Sequence, residues 1–109
     1  MPSLFDPPPP DIAGELADLR DALDREIPSK ALDRNLLIAT WNIRAFGDLT
    51  ARWSAAETDV PKRDLHALLC IGEIIARFDV IALQEVQANL TCLREIMNWL
   101  GPDWGVILT

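Results

Sequence analysis

Two stretches of the sequence decide the fold: Thr40-Trp41-Asn42-Ile43-Arg44-Ala45-Phe46-Gly47 and Asp79-Val80-Ile81-Ala82-Leu83-Gln84-Glu85-Val86. The first belongs to a nearly continuous apolar run over Asn35–Arg44, which is rich in β-branched and aromatic residues. That composition predicts a strand buried on both faces. The second has a Val-Ile-Ala-Leu centre and predicts another strand. Polar residues close both runs: Asn42 and Arg44 end the first, and Gln84 and Glu85 end the second.

Helical patterns separate these strands from one another and from a third apolar run. Pro61 suits a first helical turn and Asp64 suits the positive end of the helix dipole. Apolar residues at helical spacing follow, namely Leu65, Leu68, Leu69, Gly72, Ile75 and Ala76. A further helix is predicted over Asn89–Leu100 and a third strand over Trp104–Thr109. This strand-helix-strand-helix-strand order predicts an α/β fold with crossovers onto one sheet.

Residues 1–34 precede this pattern and have a different character. Pro7–Pro10 predicts a short, stiff spacer. Asp11 is a suitable N-cap for an amphipathic helix that ends near Pro28. One apolar stripe runs along that helix, formed by Ile12, Leu16, Leu19, Leu23 and Ile27. We expect the helix to pack on its own domain rather than on a partner. The predicted organisation is therefore an N-terminal tail and helix over 1–34, followed by an α/β segment over 35–109.

Length and charge restrict the possible functions. A chain of 109 residues has room for one domain. The net charge of −7 and the pI of about 4.5 argue against a protein that holds nucleic acid by bulk electrostatics. Nuclease chemistry would need positive charge from a bound metal, from a few arginines, or from further sequence. The sequence has no secretory start and no apolar run of membrane-spanning length, so we predict a soluble cytoplasmic protein.

The cysteines and the only histidine show no pattern of their own. Cys70 and Cys92 lack metal-like spacing, and each lies inside a helical pattern. They are interpreted as two buried free thiols rather than a disulfide. His66 lies early on the first crossover helix and is predicted to be a surface or capping residue.

The polar residues at the two strand ends form the candidate site. If the strands are parallel neighbours, their carboxyl ends meet at one rim, where open α/β sheets bind ligands. Glu85 supplies the hard oxygens that Mg²⁺ prefers, and Asn42 can hold a phosphate oxygen or orient the carboxylate. Arg44 has the planar fork that grips phosphate. In a purely structural alternative, which the spacing leaves open, Asn42 caps the loop and Glu85 pairs with Arg44.

The two strand-end stretches also carry a family resemblance. Ala39–Gly47 and Phe78–Val86 resemble the first two strand motifs of the endonuclease/exonuclease/phosphatase superfamily, and most of all its deoxyribonuclease I branch. The resemblance covers Asn35–Thr109. It implies the α+β four-layer sandwich of the deoxyribonuclease I-like type, with only its first half present.

The resemblance also implies an activity and roles for particular residues. The implied reaction is metal-dependent hydrolysis of a phosphodiester, most of all in nucleic acid, by in-line attack of water. Glu85 matches the glutamate that binds catalytic Mg²⁺ or Mn²⁺. Asn42 matches the asparagine that helps hold metal and scissile phosphate, and Arg44 matches an arginine that reaches the nucleic-acid backbone. Gln87 stands where the deoxyribonuclease branch has a second arginine.

The remaining catalytic residues of such enzymes have no counterpart in this sequence. The family's histidine, its Asp-x-Asn pair and its terminal Asp-His pair all lie in the second half of the fold, and the sequence stops on the apolar run Gly105–Thr109. We therefore expect an N-terminal fragment that is inactive and poorly stable alone. Two alternatives remain: a phospholipid or phosphoinositide phosphoesterase of the same fold, and a non-catalytic remnant that serves as a binding module.

Overall fold

Helices and strands alternate along the chain, and the computed structural model describes residues 1–108. In chain order the elements are α1 (Pro10–Glu26), β1 (Ile38–Phe46), α2 (Leu65–Ile75), β2 (Val80–Val86) and α3 (Thr91–Leu100). The two strands form a parallel sheet, with α2 as the crossover between them. The mixed α/β class predicted from the sequence is confirmed in this form.

The parallel pair of strands is covered on one face. The ladder runs in register from Ile38 opposite Val80 to Asn42 opposite Gln84. The start is fixed by a side chain, because the Asp79 carboxylate accepts a hydrogen bond of 2.7 Å from the backbone N–H of Leu37. Side chains that alternate along both strands pack against the helices, namely Trp41, Ile43, Ile81 and Leu83.

The opposite face of the sheet is exposed, which corrects one prediction. Ile38, Thr40 and Asn42 of β1 are exposed, as are Val80 and Ala82 of β2. The prediction of a first strand buried on both faces was therefore wrong. An apolar run is compatible with burial on both faces of a strand. Whether a second layer of structure covers the other face depends on other residues.

The predicted third strand is also not formed. Residues 104–108 have no regular secondary structure, and Thr109 lies outside the described residues. Trp104 is half-buried beneath the Lys30 ammonium, which lies 5.0 Å from the ring centroid. The apolar residues that follow are exposed, with Ile107 at 91%. A strand requires hydrogen bonds to a neighbouring strand. Residues 104–108 form no such ladder with the free edge of β2.

The helix α2 forms the centre of the core. The Asp64 carboxylate caps it, accepting a hydrogen bond of 2.9 Å from the N–H of Ala67, which agrees with its predicted place at the positive end of the helix dipole. The prediction of Pro61 in the first turn was wrong, since the helix begins at Leu65. Leu65 and Leu68 are fully buried. Gly72 lies against α3, where an added Cβ would come within 2.9 Å of the Trp99 ring. The two helices cross closely because this position has no side chain.

The helix α1 packs on α2, which confirms that it lies on its own domain. Its predicted stripe contributes Ile12, Leu16 and Leu23 to the buried residues. The N-cap prediction was wrong, since Pro9 occupies that position and Asp11 lies in the first turn. A proline fixes the backbone dihedral that a helix start needs, so the helix begins at Pro10, two residues earlier than predicted.

Ion pairs join the exposed sides of α1 and α2. Arg20 pairs with Glu73 at 2.8 Å, and this hydrogen bond raises the pKa of the Arg20 guanidinium. The Nε2 atom of His66 lies 2.8 Å from the Glu15 carboxylate, so the predicted surface histidine also links the two helices. Arg77 pairs with Asp24 near the ends of the same helices. None of the helices in the part of the chain that the structure describes is long and apolar enough to cross a membrane.

Candidate active site at the strand ends

The two strand ends meet as predicted, and a bulge separates their last ladder positions. Asn42 lies opposite Gln84, and the next paired positions are Phe46 and Val86. The first strand uses four residue steps over this interval and the second uses two, so β1 carries two extra residues. Glu85 thus faces an arch formed by Ile43–Ala45, which we call the bulge. Such irregularities in a ladder redirect side chains and occur often beside active sites.

The backbone is left-handed at two residues of the bulge and at Glu85, which faces it. Arg44 has φ of 58°, Ala45 of 49° and Glu85 of 63°. In residues 1–108 these are the non-glycine positions with positive φ. Each such residue costs about 1–2 kcal/mol relative to an ordinary conformation. Concentration of backbone strain at one place is typical of functional sites, where the surrounding structure must hold the strained conformation.

Arg63 holds the bulge from outside the strands. Its guanidinium donates hydrogen bonds to three successive backbone carbonyls, those of Ile43 (3.1 Å), Arg44 (3.1 Å) and Ala45 (2.8 Å). The same group lies 5.5 Å from the centroid of the Phe46 ring, which is fully buried. This residue was missed in the sequence analysis. The only hint was its place one residue before the Asp64 cap, since a cation is unfavourable at a helix N-terminus.

The loop before α2 is ordered by its own hydrogen bonds. The N–H of Thr50 donates to the Arg63 carbonyl at 2.9 Å, and the Thr50 hydroxyl donates to the Pro61 carbonyl at 2.7 Å. The Asp64 carboxylate also accepts the N–H of Ala55 at 2.9 Å. Arg63 is therefore fixed at its backbone as well as at its guanidinium.

The structural alternative for the site residues is realised only in part. The Asn42 side-chain oxygen accepts a hydrogen bond of 3.3 Å from the Arg44 N–H, so Asn42 does stabilise the turn of the chain. The expected pair of Glu85 with Arg44 is not formed. Within residues 1–108, neither residue forms an ion pair. Asn42, Arg44 and Glu85 are all exposed. Their polar groups remain accessible to a ligand.

Gly47 and Gln87 continue the contact between the strand ends. The Gln87 N–H donates to the Phe46 carbonyl at 3.0 Å, and the Cys92 N–H donates to the Gly47 carbonyl at 2.9 Å. A Cβ at Gly47 would lie 2.4 Å from the Gln87 side-chain oxygen and 3.0 Å from the Gln87 Cβ, so a larger residue at this position would displace the exposed Gln87 side chain.

The two thiols are free, as predicted. Cys92 is fully buried, and its thiol donates a hydrogen bond of 3.2 Å to the Asp48 carbonyl. Burial raises the pKa of the Cys92 thiol to about 11, and the nearby Arg63 charge acts in the opposite direction. Cys70 is only half-buried, and burial is also the main reason that the pKa of its thiol is raised. Both thiols are therefore protonated near neutral pH.

The oxygen donors beside the bulge are of the chemical type that hard divalent cations prefer. Glu85 offers a carboxylate and Asn42 an amide oxygen, and Mg²⁺ is often bound by one or two carboxylates together with water and substrate phosphate. Over the described range 1–108, no group of three or more histidine, cysteine, aspartate or glutamate side chains is placed to hold a metal. Within residues 1–108, Asn42 and Glu85 thus offer donor atoms of a suitable type without a closed cage.

A large apolar groove runs along the free edge of β2. Its volume is about 1300 Å³, and Glu85 lies among its lining residues. Apolar side chains of β2 and α3 form much of its wall, including Ile81, Leu83, Leu93, Ile96 and Met97. The segment 104–108 forms the other side.

Comparison of the chain with family models, curated proteins and solved structures found no match.

Proposed function

We propose that this chain supplies the N-terminal part of a metal-dependent phosphodiester hydrolase of the deoxyribonuclease I-like type. The observation that carries the proposal is the arrangement of Asn42 and Glu85. They lie on adjacent parallel strands, one residue apart in register, where the backbone is left-handed and both side chains are exposed. The family motifs at these positions support the same assignment.

The proposed roles follow from the chemistry of each side chain. Glu85 holds Mg²⁺ or Mn²⁺, with the Asn42 amide oxygen as a second donor or as an orienting group for the carboxylate. Arg44 binds a non-bridging phosphate oxygen through its guanidinium. When bound, the metal supplies stabilisation of the negative charge that develops on the phosphoryl oxygens. The groups that position and activate water would come from outside residues 1–108.

The charge of the site supports a phosphate substrate. The chain as a whole carries −7, yet two arginines lie at the bulge and neither forms an ion pair within the described residues. Arg44 is exposed, and Arg63 is bound by neutral carbonyls. The exposed guanidinium of Arg44, which has no ion-pair partner within the described residues, can attract a phosphate group to this place on an otherwise acidic chain.

Substitution of Glu85 tests the proposal. In the protein produced from its natural reading frame, called here the natural protein, Glu85→Gln keeps the shape of the side chain and removes its charge. We expect Mg²⁺-dependent hydrolysis to fall about a hundredfold or more, because the removed charge acts directly on the metal. The matched control is Glu26→Gln, an exposed glutamate at the far end of α1, which should leave the rate unchanged.

The substrate is tested in the same experiment. Rates are compared on plasmid DNA, a single-stranded oligonucleotide and phosphoinositide vesicles. The net negative charge of the chain favours a local contact with one phosphodiester over non-specific binding of duplex DNA. Activity on vesicles alone would replace the nuclease by the lipid phosphoesterase alternative. Glu85→Gln protein with the wild-type rate on every hydrolysed substrate would contradict the proposed role of Glu85.

A further inference from the structure

Three successive backbone carbonyls point to one side of the chain at the bulge. In an extended strand, successive carbonyls point in opposite directions, toward the two neighbouring strands. The left-handed conformations of Arg44 and Ala45 turn the carbonyls of Ile43, Arg44 and Ala45 together. Their distances to the Arg63 guanidinium are 2.8–3.1 Å. The bulge and Arg63 therefore form one unit.

Arginine fits this role better than any other side chain. Its guanidinium carries five N–H donors in a rigid planar fork, and it never loses its charge near neutral pH. Two of its nitrogens serve three carbonyls here, while its plane lies near the buried Phe46 ring. The compact ammonium of a lysine can donate to some of these carbonyls but cannot also place a flat group against a ring.

The position of the candidate site residues depends on the conformation of the bulge. The register break begins directly after Asn42 and ends at Phe46, and Glu85 is the residue of β2 that lies opposite this interval. If the three carbonyls were released, the two extra residues of β1 would have to be accommodated elsewhere in the ladder. Absorbing both residues would shift the register by two positions, which is about 6–7 Å along the strand. Arg44 and Asn42 would then no longer lie beside Glu85.

We infer that Arg63 is a positioning residue for the proposed phosphodiesterase site: through the carbonyls of Ile43–Ala45 it holds Asn42 and Arg44 beside Glu85. The inference rests on the proposed function. Arg63 itself touches the backbone and Phe46, so it acts on the reaction through other residues. Its role resembles that of the outer groups that orient metal ligands.

Substitution of Arg63 in the natural protein tests this inference. Arg63→Gln removes the charge and most of the donors, and Arg63→Lys keeps the charge with fewer suitable donors. The matched control is Arg52→Gln in the same loop, because Arg52 is exposed and pairs with Asp59 at 3.6 Å, away from the bulge. Three readouts are made: kcat and KM on bis(4-nitrophenyl) phosphate, the Mg²⁺ concentration for half-maximal rate, and the backbone couplings and carbon shifts of Arg44 and Ala45 by NMR.

We expect Arg63→Gln to lower kcat by about 10–100-fold and to raise the Mg²⁺ requirement, as loss of outer-shell partners does. Arg63→Lys should lie between Arg63→Gln and the wild type, and Arg52→Gln should match the wild type. The NMR signals of left-handed backbone at Arg44 and Ala45 should disappear in Arg63→Gln. If Arg63→Gln does not fold, Arg63→Lys gives the same comparison with a smaller expected change.

Two results would overturn the inference. The first is a folded Arg63→Gln protein with a lower melting temperature but wild-type kcat and Mg²⁺ requirement, which would make Arg63 a purely structural residue. The second is retention of the left-handed signals without Arg63. A wild-type protein without phosphodiesterase activity would instead refute the proposed function and with it the positioning role, while the NMR readout would still report separately whether Arg63 holds the bulge.

Discussion

The helix-covered side of the sheet and the bulge at its carboxyl end are built in opposite ways. On the covered side, apolar residues such as Leu68 and Phe46 are fully buried and the backbone is regular. At the bulge, Asn42, Arg44 and Glu85 are exposed and the backbone is left-handed at two of them. The first arrangement gives stability. The second costs stability, because its backbone is strained, and it exposes polar side chains. This combination is typical of functional sites.

Truncation of the covered side should give the largest change in stability. Leu68→Ala removes a fully buried side chain at the centre of α2, so we expect the free energy of unfolding to fall by about 2–5 kcal/mol. Chemical denaturation measures this change. The control is Leu36→Ala, where the side chain is 60% exposed and the expected loss is much smaller. Equal losses at the two positions would mean that the covered side is not a packed core.

A substitution in the bulge should have the opposite sign. Glycine adopts positive φ without the steric cost that Ala45 carries at 49°, but it loses about 0.5–1 kcal/mol through its greater freedom in the unfolded chain. Relief of the left-handed strain is worth about 1–2 kcal/mol. We therefore expect Ala45→Gly to stabilise the protein by about 0.5–1 kcal/mol, as the difference of these two effects.

The matched control for the bulge is Ala39→Gly, in the regular part of β1 opposite Ile81. Glycine weakens a strand interior, so this change should destabilise the protein by about 0.5–1 kcal/mol. Both variants are compared by thermal or chemical unfolding. If Ala45→Gly destabilises the protein as much as Ala39→Gly does, the bulge is not strained in solution.

The smallest effect is expected on the exposed side of α1. Arg20→Met keeps most of the apolar stem and breaks the pair with Glu73, whose side chain is 12% exposed. The Arg20 side chain is 49% exposed, and pairs in contact with solvent contribute about 0.2–1 kcal/mol, so the melting temperature should fall only slightly. The loss should shrink at high salt, because screening weakens the pair in the wild type. A large, salt-independent loss would show that Arg20 acts mainly through packing.

The sequence was sufficient for the regular elements and insufficient for the bulge. Apolar spacing predicted α2, α3 and both strands, since burial of a repeated face leaves a periodic pattern. The adjacency of Asn42 and Glu85 followed from parallel pairing. Contact of Arg63 with Ile43–Ala45 joins residues that are 18–20 positions apart. No local pattern records such a contact.

The errors in the prediction share a physical cause. The first strand was predicted to be buried on both faces and the run over Trp104–Thr109 to form a third strand, in each case because the residues are apolar. Apolar residues show that burial of the segment is favourable. They do not identify the strand or helix that would pack against it. In the structure, one face of β1 stays open and residues 104–108 pair with no strand.

Binding of Mn²⁺, followed by paramagnetic broadening of backbone amide signals in the natural protein, tests the central claim most directly. The claim is that Asn42 and Glu85 belong to one divalent-cation site. We predict that low Mn²⁺ concentrations broaden the signals of Asn42, Arg44 and Glu85 first, and that Glu85→Gln removes this effect while Glu26→Gln does not. Broadening spread over the acidic surface of α1, with the strand ends unaffected, would contradict the claim.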